Sequence, residues 1–223
     1  MTLHRRLGHL KTFLKWVKYK GIVLDETYNQ VSIVRRDADH VHLSKLQVQL
    51  LSSLELNNKL DKYRDLFLIG VYSGQRFSDY SIFKKSDVFN NRIVKRQEKT
   101  EYKAYIPISI KLKELLDKWN WMLPKISIQK FNYNIKEICK IAGLDSEITK
   151  TTFIGNKKIE TIKPLYNCVS SHTARRTFIT LASEANVPDH VIMAICGIRD
   201  IKTLKTYKKF NPDILENYAD SIF

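Results

Sequence analysis

Several features are scarce or absent in this sequence of 223 residues. Its cysteines, Cys139, Cys168 and Cys196, form no CxxC pair and match no familiar zinc spacing, so we expect neither a disulfide framework nor a metal, but buried small apolar residues. Only 7 glycines and 5 prolines, against 43% hydrophobic residues, indicate an ordered, helix-rich domain. Because no apolar run approaches the ~18 residues of a membrane span and no signal peptide is visible, we expect a cytoplasmic protein without a membrane partner.

Acidic residues are also few, and the balance of charge indicates the kind of partner. The 38 Lys and Arg residues outnumber 23 Asp and Glu, which leaves a formal net charge of +15. Such an excess favours a polyanion, either nucleic acid or an anionic membrane surface, although a ribosomal protein would share it.

The first twenty residues predict a basic amphipathic helix over 5–20, with leucines at helical spacing and no acidic residue before Asp25. One helix is too little for a domain. We therefore interpret 1–22 as the last helix of a truncated domain, followed by a linker over 23–43 that shows no helical period.

The remaining chain predicts a mainly α fold with a small antiparallel sheet and a hairpin. Ser44 and Gln47 form a capping-box pattern, and a second helix ends at a break over Ser73–Gly74. Alternation over 87–110 predicts the sheet, with Lys99 near its turn. The other predicted elements are helices over 76–85, 111–122, 128–142, 171–186, 188–195 and 201–209, a hairpin over 147–163, and an amphipathic tail over 211–223.

Four basic residues and one tyrosine stand out within this pattern. In SSHTARRTFIT, His172 and Arg175 lie three residues apart and so share one helix face, where a single anion could contact both. Arg76 follows a Ser-Gly-Gln turn at a predicted helix start, which also favours an anion. Lys99 has the mobile stem and transferable proton of a general acid. Tyr207 lies among cations in GIRDIKTLKTYKKF. Taken singly, each pattern also fits an ordinary charged surface or packing residue.

The order of these motifs resembles the catalytic domain of the tyrosine recombinases, the phage integrase family, and especially integrases of Bacteroidetes mobile elements. SGQRFSD is similar to the first arginine box, QEKTEYKAYIPIS to the lysine hairpin, SSHTARRTFIT to the HxxR box and ICGIRDIKTLKTY to the last box. The resemblance implies the catalytic-domain fold over 44–210. It also implies that 1–22 is the end of the family's core-binding domain, which with the catalytic domain forms a clamp around DNA.

The resemblance further implies a role for each matched residue in DNA recombination and integration of a mobile element such as a transposon. Tyr207 would attack the scissile phosphate to give a 3′-phosphotyrosyl link and a free 5′-hydroxyl. Arg76 and Arg175 would stabilise the charged transition state. Lys99 would protonate the leaving oxygen, and His172 would position or deprotonate the tyrosine. Neither a metal nor another cofactor is expected.

One position departs from the family pattern. Where the last box has Gly-His or Gly-Trp, this chain has Gly197-Ile198, which removes a hydrogen-bond donor to the phosphate. Loss of one such donor typically costs ~10²-fold or more in rate, so an impaired, purely DNA-binding relative is the alternative interpretation, unless Arg199 substitutes. A relaxing topoisomerase with the same tyrosine chemistry is a third. Asp79 matches an acidic position of the first box and is expected to brace the arginine.

Double-stranded DNA is the expected partner, bound by a homotetramer in a bacterial cytoplasm; whether accessory DNA-bending proteins take part is not given by the sequence. The tail over 211–223 has an apolar stripe that fits packing on its own domain or docking on a neighbouring subunit, and we favour docking. The cations expected to contact DNA are Arg5, Arg6, Lys11, Lys15, Lys18, Arg199 and Lys202.

Overall fold

Residues 3–33, 41–154 and 157–207 are described by the computed structural model. The chain divides into two units, Met1–Asp39 and His40–Phe223. Within the described residues, no helix combines the length and apolar character needed to cross a membrane.

The first unit contains the predicted basic helix, α1, over Leu3–Tyr19. None of its residues is buried. The following segment forms a short 3₁₀ turn over Glu26–Asn29, capped by the Asp25 carboxylate, which accepts from the Thr27 amide at 2.8 Å. Lys11 Nζ donates to the Asn29 carbonyl at 2.8 Å, so this turn is held against α1. The helix prediction over 5–20 is confirmed.

The second unit is built around one buried helix. α2 spans Lys45–Ser53 and begins with the predicted capping box between Ser44 and Gln47. α3 spans Asn58–Ser73, and its central run Leu66–Ile69 is at most 1% exposed, because three later helices pack around it. A stretch of helix buried on all sides is expected to be apolar on all sides, as this run is.

The helix predicted over 76–85 is wrong in its length. α4 spans only Phe77–Tyr80, and the chain then turns so that Phe83 enters the core at 1% exposure. The Asp87 carboxylate accepts from the Lys84 amide at 3.0 Å, which favours a 3₁₀ turn at this point. Burial of Phe83 outweighs continuation of the helix.

A three-stranded antiparallel sheet follows, as predicted. Its strands, in spatial order, are β1 Val88–Phe89, β2 Arg92–Arg96 and β3 Lys103–Pro107. Ile93 pairs with Ile106, and both are fully buried on the face that meets the core. The turn between β2 and β3 carries Lys99.

The remaining elements largely follow the predicted order. A short helix, α7, was not predicted, because four residues carry no helical period. The elements are α5 Ile110–Lys118, α6 Ile128–Ile141, the antiparallel hairpin β4 Glu147–Ile154 and β5 Lys157–Pro164, α7 Leu165–Cys168, α8 Ser171–Glu184, α9 Asp189–Cys196 and α10 Ile201–Lys205. The predicted tail over 211–223 lies outside the described residues.

The end of the last helix differs from the prediction of 201–209. α10 ends at Lys205, and Tyr207 lies in a turn whose amide donates to the Leu204 carbonyl at 2.9 Å. Thr206 Oγ1 also donates to the Thr203 carbonyl at 2.7 Å, so the last carbonyl groups are satisfied without further helix. Tyr207 is therefore presented from a turn and not from a helix face.

A small second core supports this turn. It contains five buried side chains from α8, α9, α10 and the loop between the last two helices: Ile179, Ile192, Cys196, Ile198 and Leu204. Tyr207 packs against this cluster and is itself half-buried.

Candidate active site

The break between α3 and α4 positions Arg76. Gly74 has a φ of +67°, and a Cβ at this residue would lie 2.5 Å from the Phe178 ring of α8, so the tight turn requires glycine. Arg76 follows as the first residue before α4 and is half-buried. The sequence prediction that Arg76 begins a helix is confirmed.

Arg175 is anchored at one end only. It is fully buried in α8, where its Nη1 donates to the Gly74 carbonyl at 3.1 Å and to the Cys196 carbonyl at 2.7 Å. Its buried Nε and Nη2 atoms have no hydrogen-bond partner. Buried donors without partners are rare in folded proteins, and here they belong to a cation, so they are suited to receive an anionic ligand.

The two arginines lie close enough to affect each other. Burial lowers the pKa of Arg76, and the nearby charge of Arg175 lowers it further. Two neighbouring cations in a partly dry site repel each other, and an anion between them would remove that repulsion.

A glutamine that sequence reasoning missed connects the motifs. Gln97 is fully buried, and both the oxygen and the nitrogen of its side-chain amide form hydrogen bonds. Its Oε1 accepts from Arg76 Nη1 at 2.7 Å and from Thr100 Oγ1 at 2.9 Å. Its Nε2 donates to Gln75 Oε1 at 2.9 Å and to the Cys196 carbonyl at 2.7 Å. The only sequence signal for Gln97 was its place two residues before Lys99, at the end of a strand.

Gln75 completes the connection to α9. This residue is also fully buried, and its Nε2 donates to the Ile195 carbonyl at 2.6 Å and to the Ser73 carbonyl at 3.1 Å. The first arginine box, the lysine hairpin and the end of α9 are thus joined by side-chain amides.

Tyr207 and His172 form the candidate nucleophile pair. Tyr207 Oη lies 3.3 Å from His172 Nε2, and the two ring centroids are 5.7 Å apart. Arg175 Cζ lies 6.0 Å from the centroid of the Tyr207 ring. A histidine nitrogen at this distance is within reach of the phenol proton.

Lys99 and Asp79 belong to the turn of the lysine hairpin. Lys99 is exposed in this turn, which is closed by backbone hydrogen bonds between Gln97 and Glu101 and between Gln97 and Tyr102. Asp79 is 1% exposed, and its Oδ1 accepts from the Glu98 amide at 3.0 Å. Its hydrogen bond is therefore to the lysine turn, while its negative charge acts to raise the pKa of Arg76, the arginine that the sequence associated with it.

Ile198 lies at the departure from the family pattern. Its side chain is 4% exposed within the small second core, the cluster against which Tyr207 packs. Gly197 before it has a φ of +60°, and a Cβ there would lie 2.6 Å from the side chain of Gln97. Ile198 supports the tyrosine turn by packing and offers no hydrogen bond from its side chain.

The cations predicted to contact DNA fall in both units. Arg199 and Lys202 are exposed near the site, at the start of α10. Arg5, Arg6 and Lys15 are exposed on α1, whereas Lys18 pairs with Glu26. The other α1 cation, the half-buried Lys11, is the one that binds the Asn29 carbonyl.

The thiols take no part in these hydrogen bonds. Cys139 and Cys196 are buried, and burial raises their pKa values to about 12 and about 11, while Cys168 is half-buried. Among the residues that the structure describes, no three His, Cys, Asp or Glu side chains are grouped to hold a metal ion.

This helical domain, with a tyrosine, a histidine and two arginines brought together from separate motifs, has the features of a tyrosine recombinase catalytic domain. A sequence model of the phage integrase family matches residues 43–213, which is most of the chain. The protein belongs to the phage integrase family. A comparison with curated protein sequences found no match.

Solved structures of site-specific recombinases share the fold of this chain. The XerH site-specific recombinase bound to a palindromic difH substrate, in a post-cleavage complex, superposes with a TM-score of 0.60 at 17% identity, over 85% of this chain and 54% of that one. A lambda integrase dimer on a COC′ core site gives 0.62 at 18% identity, over 94% of this chain and 76% of that one. XerA recombinase gives 0.55 at 15% identity, over 99% and 77%. The chain spans about half of the XerH chain in the post-cleavage complex. The shared fold confirms the predicted catalytic-domain fold.

Proposed function

We propose that this protein is a site-specific DNA recombinase that cleaves and rejoins DNA through Tyr207. The observation that carries the proposal is the 3.3 Å contact of Tyr207 Oη with His172 Nε2, beside the buried and incompletely bonded Arg175. A phenol that can lose its proton beside a buried guanidinium group with donors to spare is suited to attack a phosphodiester.

In the proposed reaction, Tyr207 Oη forms a bond to the scissile phosphorus while the bond from phosphorus to the 5′ oxygen breaks. The phenol proton passes to His172, and Lys99 supplies a proton to the leaving 5′ oxygen. Arg76 and Arg175 bind the non-bridging oxygens, whose charge grows in the transition state. Attack by a 5′-hydroxyl reverses these steps and releases the tyrosine.

The placement of the arginines supports their proposed role. Arg175 is held by two carbonyl groups and Arg76 by one amide oxygen, so both guanidinium groups are fixed before DNA arrives. Fixed donors stabilise a transition state without reorganising during the reaction. Lys99 is exposed in its turn on a long side chain, as suits a group that must reach the leaving oxygen.

The proposal extends to partners and domains. XerH is bound to a difH substrate, and lambda integrase forms a tetramer on a Holliday junction in structures of this fold. We propose by analogy that this chain acts as a tetramer on double-stranded DNA in the bacterial cytoplasm. Residues 1–22 would then belong to a core-binding domain, 23–43 to a linker, 44–210 to the catalytic domain, and 211–223 to a tail that docks on a neighbouring subunit.

The comparisons give no support to the alternative of a catalytically impaired relative. The burial of Ile198 also offers a different reason for the departure, because its side chain belongs to the core cluster against which Tyr207 packs. Loss of the hydrogen-bond donor at position 198 would slow the reaction, but it leaves the nucleophile, Tyr207, in place.

The experiment that tests the proposal is covalent capture. Purified protein is mixed at low salt with nicked duplexes whose central region is randomised, and denaturation-resistant adducts are isolated and sequenced. We expect an adduct with the wild type and none with Tyr207→Phe, although both bind the captured DNA. DNA binding without any adduct would support the non-catalytic alternative, and relaxation of supercoiled plasmid without sequence preference would support a topoisomerase.

A further inference from the structure

We propose that Gln97 is a positioning residue that holds Arg76 and Arg175 in one geometry for a single phosphate. This inference rests on the proposed function. It concerns a residue outside the five matched positions, and it depends on the hydrogen bonds of one buried amide.

The amide of Gln97 is fully used. A glutamine side chain offers two N–H donors and an oxygen with two lone pairs. In Gln97 both donors and both lone pairs have partners, at 2.7–2.9 Å: Arg76, Thr100, Gln75 and the Cys196 carbonyl. Glutamate lacks the two N–H donors and an apolar residue lacks donors and acceptors alike, so the site selects glutamine over both.

The Cys196 carbonyl is the link between the two arginines. It accepts from Gln97 Nε2 and from Arg175 Nη1, each at 2.7 Å. Gln97 therefore binds Arg76 directly and fixes the carbonyl that orients Arg175. Because like charges repel, two neighbouring guanidinium groups need such an anchor to stay at a common distance from one anion.

The backbone beside Gln97 is adapted to its side chain. Gly197 leaves open the space into which a Cβ would project, only 2.6 Å from the Gln97 amide. The lysine turn begins at Gln97. The backbone N–H and carbonyl of Gln97 close this turn, and its side-chain Oε1 accepts from Thr100 Oγ1. The arginine anchor and the start of the Lys99 turn are thus one structural unit.

The predicted effect is on the rate of cleavage and not on DNA affinity. Displacing a reacting or stabilising group by about 1 Å can cost ~10²-fold in rate. Removal of the amide frees Arg76 and takes one donor from the Cys196 carbonyl that orients Arg175. Contacts with the rest of the DNA do not involve Gln97, which is buried.

The test uses the captured DNA at saturating concentration, with adduct formation followed in single turnover and DNA affinity measured separately. We expect Gln97→Met to slow adduct formation ~10²-fold at unchanged affinity. Thr177→Val is the matched control: Thr177 is a fully buried hydroxyl that accepts from the Leu43 amide, outside the arginine network. It should lower the melting temperature and leave the rate unchanged.

A second variant keeps the test decisive if the first does not fold. Gln97→Glu preserves the size of the side chain and the acceptor for Arg76. It replaces the NH₂ donor with an oxygen that faces two other oxygens, Gln75 Oε1 and the Cys196 carbonyl. We expect this variant also to slow the reaction at least tenfold. Wild-type rates in the folded variants would overturn the inference while the proposed function stands. Equal slowing by Thr177→Val would overturn it as well. If the wild type forms no adduct that depends on Tyr207, the proposed function fails and the inference fails with it.

Discussion

Arg175 provides a test of whether the site is built to receive an anion, because its contribution to folding stability and its contribution to anion binding can be measured separately. The substitution Arg175→Met keeps a long side chain and removes the charge. Two carbonyl acceptors would lose their charged donor, and each such hydrogen bond is worth about 1.5–3 kcal/mol.

The free energy gained by removing the unpaired donors of Arg175 is similar in size to the free energy lost with its two hydrogen bonds. Two buried N–H donors without partners cost about 1–3 kcal/mol each, and no carboxylate among the described residues pairs with Arg175. The Cys196 carbonyl also keeps its bond from Gln97 after the substitution. We therefore expect the free energy of unfolding of Arg175→Met to lie within about 2 kcal/mol of the wild type, and not the 3–5 kcal/mol below it that breaking a satisfied buried ion pair costs.

Urea denaturation in the absence of DNA measures this difference, and added inorganic phosphate tests its cause. Phosphate at ten times its dissociation constant should stabilise the wild type by about 1.4 kcal/mol more than the variant. Adduct formation should fall at least ~10²-fold in the variant. A loss of stability above about 4 kcal/mol, or equal stabilisation of both proteins by phosphate, would refute the reasoning, because it would make Arg175 a structural residue with its bonding complete.

Three further predictions follow from particular positions. Gly197→Ala should lower the free energy of unfolding by at least about 1 kcal/mol, measured in urea, since its φ of +60° and its close approach to a buried amide both exclude a Cβ; an unchanged value would contradict this. Lys99→Ala should slow adduct formation ~10²-fold or more on ordinary DNA, but not on DNA with a bridging 5′ sulfur, which leaves without a proton; equal slowing on both would exclude the general-acid role. At pH 8, iodoacetamide should modify Cys168 before Cys139 and Cys196, because burial raises the pKa of those two thiols to about 12 and about 11; mass spectrometry that finds either buried thiol modified first would contradict their burial.

Local signals in the sequence predicted the elements that are determined locally. The capping box at Ser44 and the break at Gly74 both depend on neighbours within a few residues, and both lie where they were predicted. The pairing of β4 with β5 also agrees with the hairpin predicted from the Gly155-Asn156 pair between two β-branched runs of the sequence.

Tertiary packing decided the features that were missed. α4 stops after one turn because Phe83 reaches the core, and α10 stops before Tyr207 because side-chain and backbone bonds close the turn. Gln97 was overlooked for the same reason: its partner at Cys196 lies 99 residues away along the chain. Neither propensity nor spacing carries such information, whereas the order of four motifs carried the family assignment.

The position of the covalent bond tests the central claim most directly. The wild-type adduct would be digested with a nuclease and a protease, and the peptide that carries the residual nucleotide sequenced by mass spectrometry. The account predicts one modified residue, Tyr207, joined through its phenolic oxygen to a 3′-phosphate. A nucleotide on any other residue, or a 5′-phosphate link, would contradict it.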